Sequence, residues 1–483
     1  MASAPESSVT FVQGRTKGSR NAIYGGYRYT KDGDLTNGCT SWRCVIRGCR
    51  GRLHTRGDNV VAIKGEHIHE PNVEECNVKI IINEMKQQAR DTRTAPAEII
   101  AKTQGKYPKS TRAHMPPKSA MTKMIHHERH QADSRPRAPS SLSDISLVGD
   151  DCLSMAGESM LLHDVEHPDH RMIFFGTKEN VQKLEQSDSW YVDSTYFTCP
   201  KLFSQLLTIH AEFPSNIPDD DNTWVFPCIW VLMGGKKEAM YLDMCAHLTS
   251  MGSFNPLHIM SDFEVALRNA LGQYFPTCQF SGCYFHFSDA VTRKVMKKQK
   301  EEYEQVYTID NVYTCSPLKI WVRRLIGLAF VPADKVEEAF AYLVTQIPED
   351  IQIYEVLTYF QNTWVAGQTV AGVTLKPASF PPVLWNVRGR TLERMNRTNN
   401  PVESFHSQFK KFVKTAHPTI WAFIDAMRLQ QSDTDGKICS MIVGERPPKR
   451  KKTHLARDDK IFSATNQFDN MELIPYLDLV MNL

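Results

Sequence analysis

The sequence predicts an α/β protein built around a mixed β-sheet whose strands end in polar residues. An apolar run at residues 257–260 leads into Asp262, and a helix-period pattern follows at once. A second apolar run, residues 279–287, carries Cys283 and His286 and precedes another helical pattern. Two strand–helix units in succession place their polar residues at one edge of a sheet, where α/β proteins carry their ligands.

Length and composition are those of a globular protein. The 483 residues exceed the usual size of one domain, so we expect roughly two to four modules. Residues 1–10 do not resemble a signal peptide, and the longest apolar run, residues 224–233, is too short to cross a bilayer. The 12 cysteines lack the spacing of a disulfide framework. We therefore expect a soluble, intracellular protein with reduced thiols and a metal site.

Charge is distributed unevenly along the chain. The formal net charge is +3, but residues 1–140 contain 24 Lys and Arg against 13 Asp and Glu, and the remainder contains 33 against 41. A basic front and an acidic rear suggest that the front binds a polyanion while the rear has a different task. A solvated basic surface without a ligand is the alternative.

Residues 1–72 contain paired cysteines and histidines in the pattern Cys-x4-Cys-x17-His-x-His. The four residues are Cys44, Cys49, His67 and His69. Two thiolates and two imidazoles suit tetrahedral zinc, and a small β-rich segment needs such a staple because its core is small. Unrelated surface cysteines and histidines are the alternative.

This segment resembles a FLYWCH-type zinc finger, in which Trp42 precedes the first cysteine ligand by two residues. Cys39 is an alternative ligand if the loop is remodelled. Arginines crowd the same segment, and arginine suits phosphate and guanine contacts. DNA or RNA binding is the expected use and protein binding the alternative. The candidate contacts are Arg43, Arg47, Arg50, Arg52 and Arg56.

Residues 73–141 read as a basic helical linker. Helical periodicity covers residues 78–90, 95–105 and 118–131, and the third of these segments carries Lys123 and Arg129. Three short helices with a basic last one suit a DNA-binding helix-turn-helix. A plain helical spacer fits the pattern equally well.

The next region predicts three strands in succession, at residues 190–195, 205–212 and 224–233, followed by a helix and the strand before Asp262. The order β-β-β-α-β-α-β-α is that of a ribonuclease H-like sheet, in which the fourth strand lies beside the first. That pairing brings Asp193 close to Asp262. A buried acid needs a partner or a metal, although a structural, hydrogen-bonded Asp193 is the alternative.

A third acid, Glu403, follows a mostly helical region, residues 310–397. Asn400, Pro401 and Glu403 have the spacing of a helix start, so Glu403 is either a capping residue or a functional acid. Two divalent cations held together need several carboxylate oxygens, which favours the second interpretation.

Four motifs in residues 142–432 resemble a Mutator-like element (MULE) transposase: WYVDSTY, LHIMSDFEVAL, CYFHFSDAVTRK and RTNNPVESFHSQFK. The resemblance implies a ribonuclease H-like domain with a helical insertion at about 310–397. It also implies a metal-binding triad of Asp193, Asp262 and Glu403. Cys283 and His286 match the family's Cys/His pair, for which orientation of the catalytic edge, DNA contact and simple packing stay open.

The implied activity is DNA transposition. Mg²⁺ or Mn²⁺ on the triad would activate water to nick the ends of the element and then activate the freed 3′-hydroxyl to attack target DNA. The expected partners are element ends and target DNA, with a homo-oligomer as a further expectation. The alternative is a host-adopted regulator of transcription or chromatin that binds DNA without catalysis.

Residues 433–483 are expected to form a basic tail. Two prolines precede a run of cations that resembles a nuclear localisation signal: Lys449, Arg450, Lys451 and Lys452. We therefore expect nuclear localisation and binding to an import receptor. A phosphate-contacting tail or a plain solvated run is the alternative.

Overall fold

The computed structural model describes residues 8–14, 16, 18–92, 94–132, 138–167, 170–218, 220–304, 306–309, 312–348, 353–370 and 373–482. The chain divides into two compact units, residues 1–137 and residues 138–483. Within the described residues, no helix combines the length and apolar character that a membrane span needs.

The first unit opens with an antiparallel sheet in which each strand pairs with the next along the chain. Its apolar side buries Tyr29, Trp42 and Leu53, and the Trp42 indole donates a hydrogen bond to Thr55 Oγ1 at 3.0 Å. The strands are β1 (Thr10–Gln13), β2 (Arg20–Tyr24), β3 (Tyr27–Asp34), β4 (Thr40–Cys44), β5 (Arg52–Arg56) and β6 (Asn59–Lys64).

A helical cluster completes this unit around a core that includes Ile81, Met85, Ile99 and Ile125. Its helices are α1 (Val73–Asp91), α2 (Pro96–Gly105), α3 (Lys109–Ala113) and α4 (Lys118–Ala132). The sequence analysis missed α3, because five residues are too few to show a helical period. It also placed the start of α1 late, since Asn72 caps that helix by accepting from the Glu75 N–H at 2.9 Å.

The second unit contains a mixed sheet of strand order β13-β12-β9-β10-β11-β8-β7. β12 pairs in parallel with β9 and β13, and the other pairs are antiparallel. The elements are β7 (Leu161–Glu166), β8 (Arg171–Phe175), α5 (Lys178–Gln186), β9 (Ser189–Thr195), β10 (Gln205–Pro214), β11 (Thr223–Met233), α6 (Glu238–Ser250), β12 (His258–Ser261), α7 (Val265–Tyr274), β13 (Gln279–Gly282) and α8 (Tyr284–Lys298).

The predicted element order runs from β9 to α8, and β12 lies beside β9 as expected. One boundary differs, because the apolar run at 279–287 is a strand only as far as Gly282. The remainder is the first turn of α8, whose buried residues Phe287, Val291 and Val295 recur every four residues. His286 therefore belongs to a helix rather than to a strand.

A mainly helical region follows, with a core that includes Trp321, Trp364 and Trp385. Phe287 stacks on Trp385 with ring centroids 4.4 Å apart, so this core is continuous with α8. The elements are α9 (Lys300–Glu304), β14 (Val306–Ile309), β15 (Val312–Cys315), α10 (Pro317–Gly327), α11 (Val336–Thr345), α12 (Tyr354–Phe360), β16 (Gln368–Val370), β17 (Val373–Lys376), α13 (Pro382–Trp385) and α14 (Arg388–Leu392).

The chain ends in α15 (Asn400–Val413), α16 (Ile420–Ile442), α17 (Lys452–Thr465) and α18 (Leu473–Met481). The segment expected to be a basic tail, residues 433–483, is therefore mostly helical. α18 packs into the tryptophan-rich core, where the Tyr476 hydroxyl donates to the Phe330 carbonyl at 2.6 Å. Arg324 also donates two 2.7 Å hydrogen bonds to Asp478, which anchors α18 to α10.

Candidate zinc site and carboxylate site

The predicted zinc ligands meet at one end of the first sheet. Cys44 ends β4, Cys49 lies in the loop before β5, and His67 and His69 follow β6. One ligand atom from each residue lies within 4.8 Å of the others. Cys44 Sγ is 3.2 Å from His69 Nε2, and Cys49 Sγ is 3.3 Å from His67 Nδ1. Such separations suit donors that share a tetrahedral zinc ion at about 2.0–2.3 Å.

Each of these histidines uses its second ring nitrogen within the protein. The Tyr29 hydroxyl lies 2.9 Å from His67 Nε2, and His69 Nδ1 lies 3.0 Å from the Glu70 carbonyl oxygen. Partners of this kind fix the orientation and tautomer of a metal-binding imidazole. Burial and the neighbouring His69 lower the pKa of His67, which favours the neutral form that binds metal. The donor set and its surroundings therefore fit zinc.

Cys39 does not belong to this cluster. It is buried just before β4, where its Sγ lies 3.8 Å from the Arg56 guanidinium. Sequence reasoning also missed Gly51, where a Cβ would lie 2.4 Å from the His67 ring. A glycine in front of a predicted strand is the signal that marks such a close approach.

The predicted nucleic-acid contacts of the finger are cationic and accessible. Strand register pairs Arg43 with Arg52, and Arg52 with Lys64, so these side chains form a row across β4, β5 and β6. Asp32 lies 3.9 Å from the Arg43 guanidinium and 3.6 Å from that of Arg52. The other predicted contacts are exposed, namely Arg47, Arg50 and Arg56.

The two basic residues predicted on α4 differ in their surroundings. Lys123 is exposed. Arg129 donates to the Ala89 carbonyl at 3.3 Å and to the Thr92 carbonyl at 3.1 Å, which are carbonyls at the end of α1. Arg129 thus stabilises the C-terminus of that helix, and a phosphate contact would have to share these donors.

In the second unit, the two predicted aspartates lie side by side. β12 pairs in parallel with β9 and with β13, and both registers end at Ser261. The next residues are Asp193 in β9, Asp262 after β12 and Cys283 after β13. Because neighbouring strands are about 4.8 Å apart, these three residues form one row at the carboxyl ends of β12 and β13.

Each aspartate faces a histidine that comes from a helix. His406 Nε2 of α15 lies 3.0 Å from Asp193 Oδ2, and His286 Nδ1 of α8 lies 2.6 Å from Asp262 Oδ1. The second contact is a charge pair without the angles of a hydrogen bond. The Asp262 carboxylate and the Cys283 thiol raise the pKa of His286 to about 11, so its imidazolium balances the carboxylate at neutral pH.

Helix α15 brings Glu403 to the same edge. Val402 packs with Tyr191 of β9 and Met260 of β12, which lie two residues before the two aspartates. Residues three apart share a helix face, so Glu403 lies one turn from His406, the partner of the first aspartate. Helix α15 thus lies on the two strands that carry the aspartates, but among the described residues Asp193, Asp262 and Glu403 do not bring three ligand atoms within 4.8 Å of one another.

The start of α15 differs from the capping-box interpretation of Glu403. The N-cap is Asn399 rather than Asn400, and no side-chain capping bond forms. The Asn399 side chain is occupied elsewhere, because its Oδ1 accepts from Cys283 Sγ at 3.0 Å. The Asn399 N–H donates back to the same sulfur at 3.4 Å. Glu403 is therefore the fourth helical residue, and its carboxylate is not required as a cap.

Cys283 joins the starts of two helices. It is the N-cap residue of α8, is fully buried, and contacts the N-cap residue of α15 through the two bonds to Asn399. Of the roles that the sequence left open, this placement bears on two, namely orientation of the carboxylate edge and packing. Among the described residues, Cys283 and His286 do not belong to a cluster of metal-binding side chains.

The basic cluster lies between α16 and α17. Lys449, Lys451 and Lys452 are exposed. Arg450 forms an ion pair with Asp458, and its N–H donates to Asn222 Oδ1 at 3.3 Å. Three of the four predicted cations are therefore accessible to a partner without rearrangement.

Family models match both regions. Residues 11–69 match the FLYWCH zinc finger domain, and residues 189–290 match the MULE transposase domain. The first match contains the zinc cluster, and the second contains both aspartates and the Cys283/His286 pair, whereas Glu403 lies beyond it. Among curated proteins, none matches the sequence. The chain thus contains a FLYWCH zinc finger domain and a MULE transposase domain, a combination that supports a transposase-like, DNA-binding function.

Proposed function

We propose that the second unit cuts and transfers DNA strands in a reaction that depends on a divalent metal, with Asp193, Asp262 and Glu403 as the metal-binding carboxylates. The observation that carries this proposal is the parallel pairing of β12 with β9, which sets the two aspartates side by side beneath α15. The strand order β11-β10-β9-β12-β13 supports the ribonuclease H-like assignment on which the resemblance rests.

The donor chemistry of the three acids suits a hard cation. Adjacent carboxylates supply the oxygen donors that Mg²⁺ and Mn²⁺ prefer. When bound, such ions neutralise phosphate charge and activate water or a 3′-hydroxyl for in-line attack. Asp193 is only 7 % exposed, so its carboxylate requires a partner, and His406 Nε2 lies 3.0 Å from it.

The surrounding residues orient the carboxylates. Cys283 holds the start of α15 through Asn399, and Val402 seats the same helix on the two strands. Both contacts fix the position of Glu403 relative to the aspartates. The His286 imidazolium balances the charge of Asp262, and the His406 ring lies within hydrogen-bond distance of Asp193.

The finger supplies DNA binding in this proposal. The row of Arg43, Arg52 and Lys64 would contact phosphates, with Arg47, Arg50 and Arg56 around it, so affinity for DNA should fall steeply as salt rises. Lys123 of α4 would add a further contact. The proposed setting is the nucleus, reached through an import receptor that reads Lys449 to Lys452, and the chain is proposed to act on element ends and target DNA as a homo-oligomer.

The test is cleavage of supercoiled DNA that carries the terminal inverted repeats flanking the coding region. Asp193→Ala, Asp262→Ala and Glu403→Ala should each slow nicking in Mg²⁺ or Mn²⁺ by at least about a hundredfold, because metal ligation supplies several kcal/mol. Thermal unfolding of each variant, measured in parallel, separates loss of metal binding from loss of folding. Glu445→Ala removes an exposed acid outside the site and is the matched control.

Two outcomes would count against this proposal. Normal cleavage by Glu403→Ala would remove Glu403 from the triad. An unchanged chain that binds the repeats through the finger but never cuts them would favour the host-adopted regulator, in which the α/β unit serves as a scaffold.

A further inference from the structure

We propose that the second unit also holds a structural zinc ion on His167, Asp243 and His247, separate from the finger and from the paired aspartates. Asp243 and His247 lie four residues apart on α6 and therefore share one helix face. His167 directly follows β7. A helix and the residue after a strand thus direct three metal-binding side chains at one point.

The distances suit a shared ion. The three ligand atoms lie within 4.8 Å of one another. His167 Nε2 is 2.9 Å from Asp243 Oδ2, and His247 Nε2 is 3.6 Å from Asp243 Oδ1. Donors about 2.0–2.2 Å from a tetrahedral zinc are about 3.3–3.6 Å from each other, so the His247 separation fits as it stands and the His167 separation would lengthen on binding.

The orientation of the side chains favours a metal over a simple ion pair. His167 Nε2 and Asp243 Oδ2 are buried and close, yet among the described residues neither makes a hydrogen bond. Buried polar atoms rarely stay without such a bond. His167 Nε2 and Asp243 Oδ2 are close but lack hydrogen-bond geometry, which is the arrangement expected of two ligands of a common cation.

The chemistry of the donors selects zinc or a similar transition metal. Two imidazoles and one carboxylate are a zinc donor set, whereas Mg²⁺ and Ca²⁺ prefer oxygen alone. His170 lies nearby, with its Nε2 4.0 Å from Asp243 Oδ2 and its ring stacked on His167 at 4.3 Å, but it does not belong to the group of three ligand atoms. On the other side, the rings of His163 and Phe174 lie 5.7 and 6.0 Å from that of His247.

The position in the fold indicates a structural role. The antiparallel registers place His167, directly after β7, at the same end of the strands as Thr195, the last residue of β9. β8 is three strands from β9, so the cluster is about 14 Å or more from Asp193 and outside reach of its carboxylate. A metal there ties the edge hairpin β7–β8 to α6, in a part of the sheet that has no further strand beyond β7.

The test is the zinc content of the purified full chain. It is measured in excess Mg²⁺, so that Mg²⁺ rather than zinc fills the carboxylate site. The unchanged chain should hold two zinc ions. The double variant His167→Ala/His247→Ala should hold one, and Cys44→Ser/Cys49→Ser should also hold one. The control His126→Ala/His127→Ala removes two exposed histidines from α4 and should keep both ions.

X-ray absorption at the zinc edge then identifies the remaining site. In Cys44→Ser/Cys49→Ser the zinc should have only nitrogen and oxygen neighbours at about 2.0–2.2 Å and no sulfur.

If His167→Ala/His247→Ala does not fold, the single variant His247→Asn keeps two ligands. Its second zinc should bind at least about tenfold more weakly in competition with a chromophoric chelator. Zinc content that stays at two in the histidine double variant, zinc affinity unchanged in His247→Asn, or a single finger-bound ion in the unchanged chain would overturn the proposal.

Discussion

At Gly51 the backbone before β5 passes directly under a zinc ligand. A Cβ at this position would lie 2.4 Å from the His67 ring, a separation at which the imidazole must move. The backbone angle of Gly51 is not in the left-handed region, so the obstacle is steric. A side chain here would move His67 away from the other three ligands.

We therefore predict that Gly51→Ala weakens zinc binding and destabilises the finger. The matched control is Gly33→Ala in β3, where a Cβ meets nothing within 4 Å and the backbone angle is also unexceptional. Chelator competition and thermal unfolding of the full chain measure both effects. Equal zinc affinity in the two variants would show that the loop adapts around the added methyl group.

Sequence spacing predicted some of the residues around the two aspartates and not others. Asp193 and Asp262 were predictable as neighbours, because Asp193 lies within one strand-like run, Asp262 follows another, and those strands belong side by side in a known element order. His406 was not, since 213 positions separate it from Asp193 and no local pattern links them. The sequence shows only that His406 shares a helix face with Glu403. That observation points to Asp193 only when α15 is known to pack on β9.

At the scale of elements, the Cys283 thiol joins the starts of α8 and α15. Cys283 donates to the Asn399 side chain and accepts from the Asn399 N–H, so it fixes the start of the helix that carries Glu403. We predict that Cys283→Ala lowers the cleavage rate, raises the Mn²⁺ concentration needed for half-maximal rate, and reduces stability by about 1 kcal/mol.

Cys283→Ser should largely restore the rate, because a hydroxyl donates and accepts in the same way. The control Cys245→Ala removes a thiol from another fully buried position, in α6, without touching α15. If Cys245→Ala shifts the Mn²⁺ requirement as much as Cys283→Ala does, the thiol acts through packing alone and is not a positioning residue.

Helix α18 offers a second prediction at this scale. Leu477 is fully buried in the tryptophan-rich core, whereas Leu479, two residues later, is 37 % exposed. Leu477→Ala should lower the free energy of unfolding by about 2–5 kcal/mol through the cavity it leaves. Leu479→Ala should change it by no more than about 0.5 kcal/mol, as is usual at the surface. Similar small effects in denaturant unfolding would indicate that α18 detaches in solution.

At the scale of the whole molecule, sequence patterns predicted what local signals encode. The zinc ligands stand in pairs and the strand–acid–helix units repeat, so the cysteine–histidine cluster and the adjacency of the two aspartates were predictable from the sequence. The last two helices were not, because the cations at 449–452 and the short apolar pattern after residue 472 resemble a tail. Burial of Tyr476 and Leu477 depends on surfaces of α10 that are about 150 positions away in the chain.

The exposed lysines between α16 and α17 carry the last prediction. Arg450 is engaged with Asp458, whereas Lys449, Lys451 and Lys452 project without burial and suit an import receptor. Changing these three lysines to alanine while keeping Arg450 should abolish nuclear accumulation and preserve the ion pair that supports α17. Fluorescence of the tagged full chain in cells measures the nuclear fraction.

Three other exposed lysines, Lys178, Lys201 and Lys411, give a control with the same change in charge. Nuclear accumulation that survives the first triple variant would assign import to the arginines of the finger or to a partner, because the lysine cluster would then be dispensable.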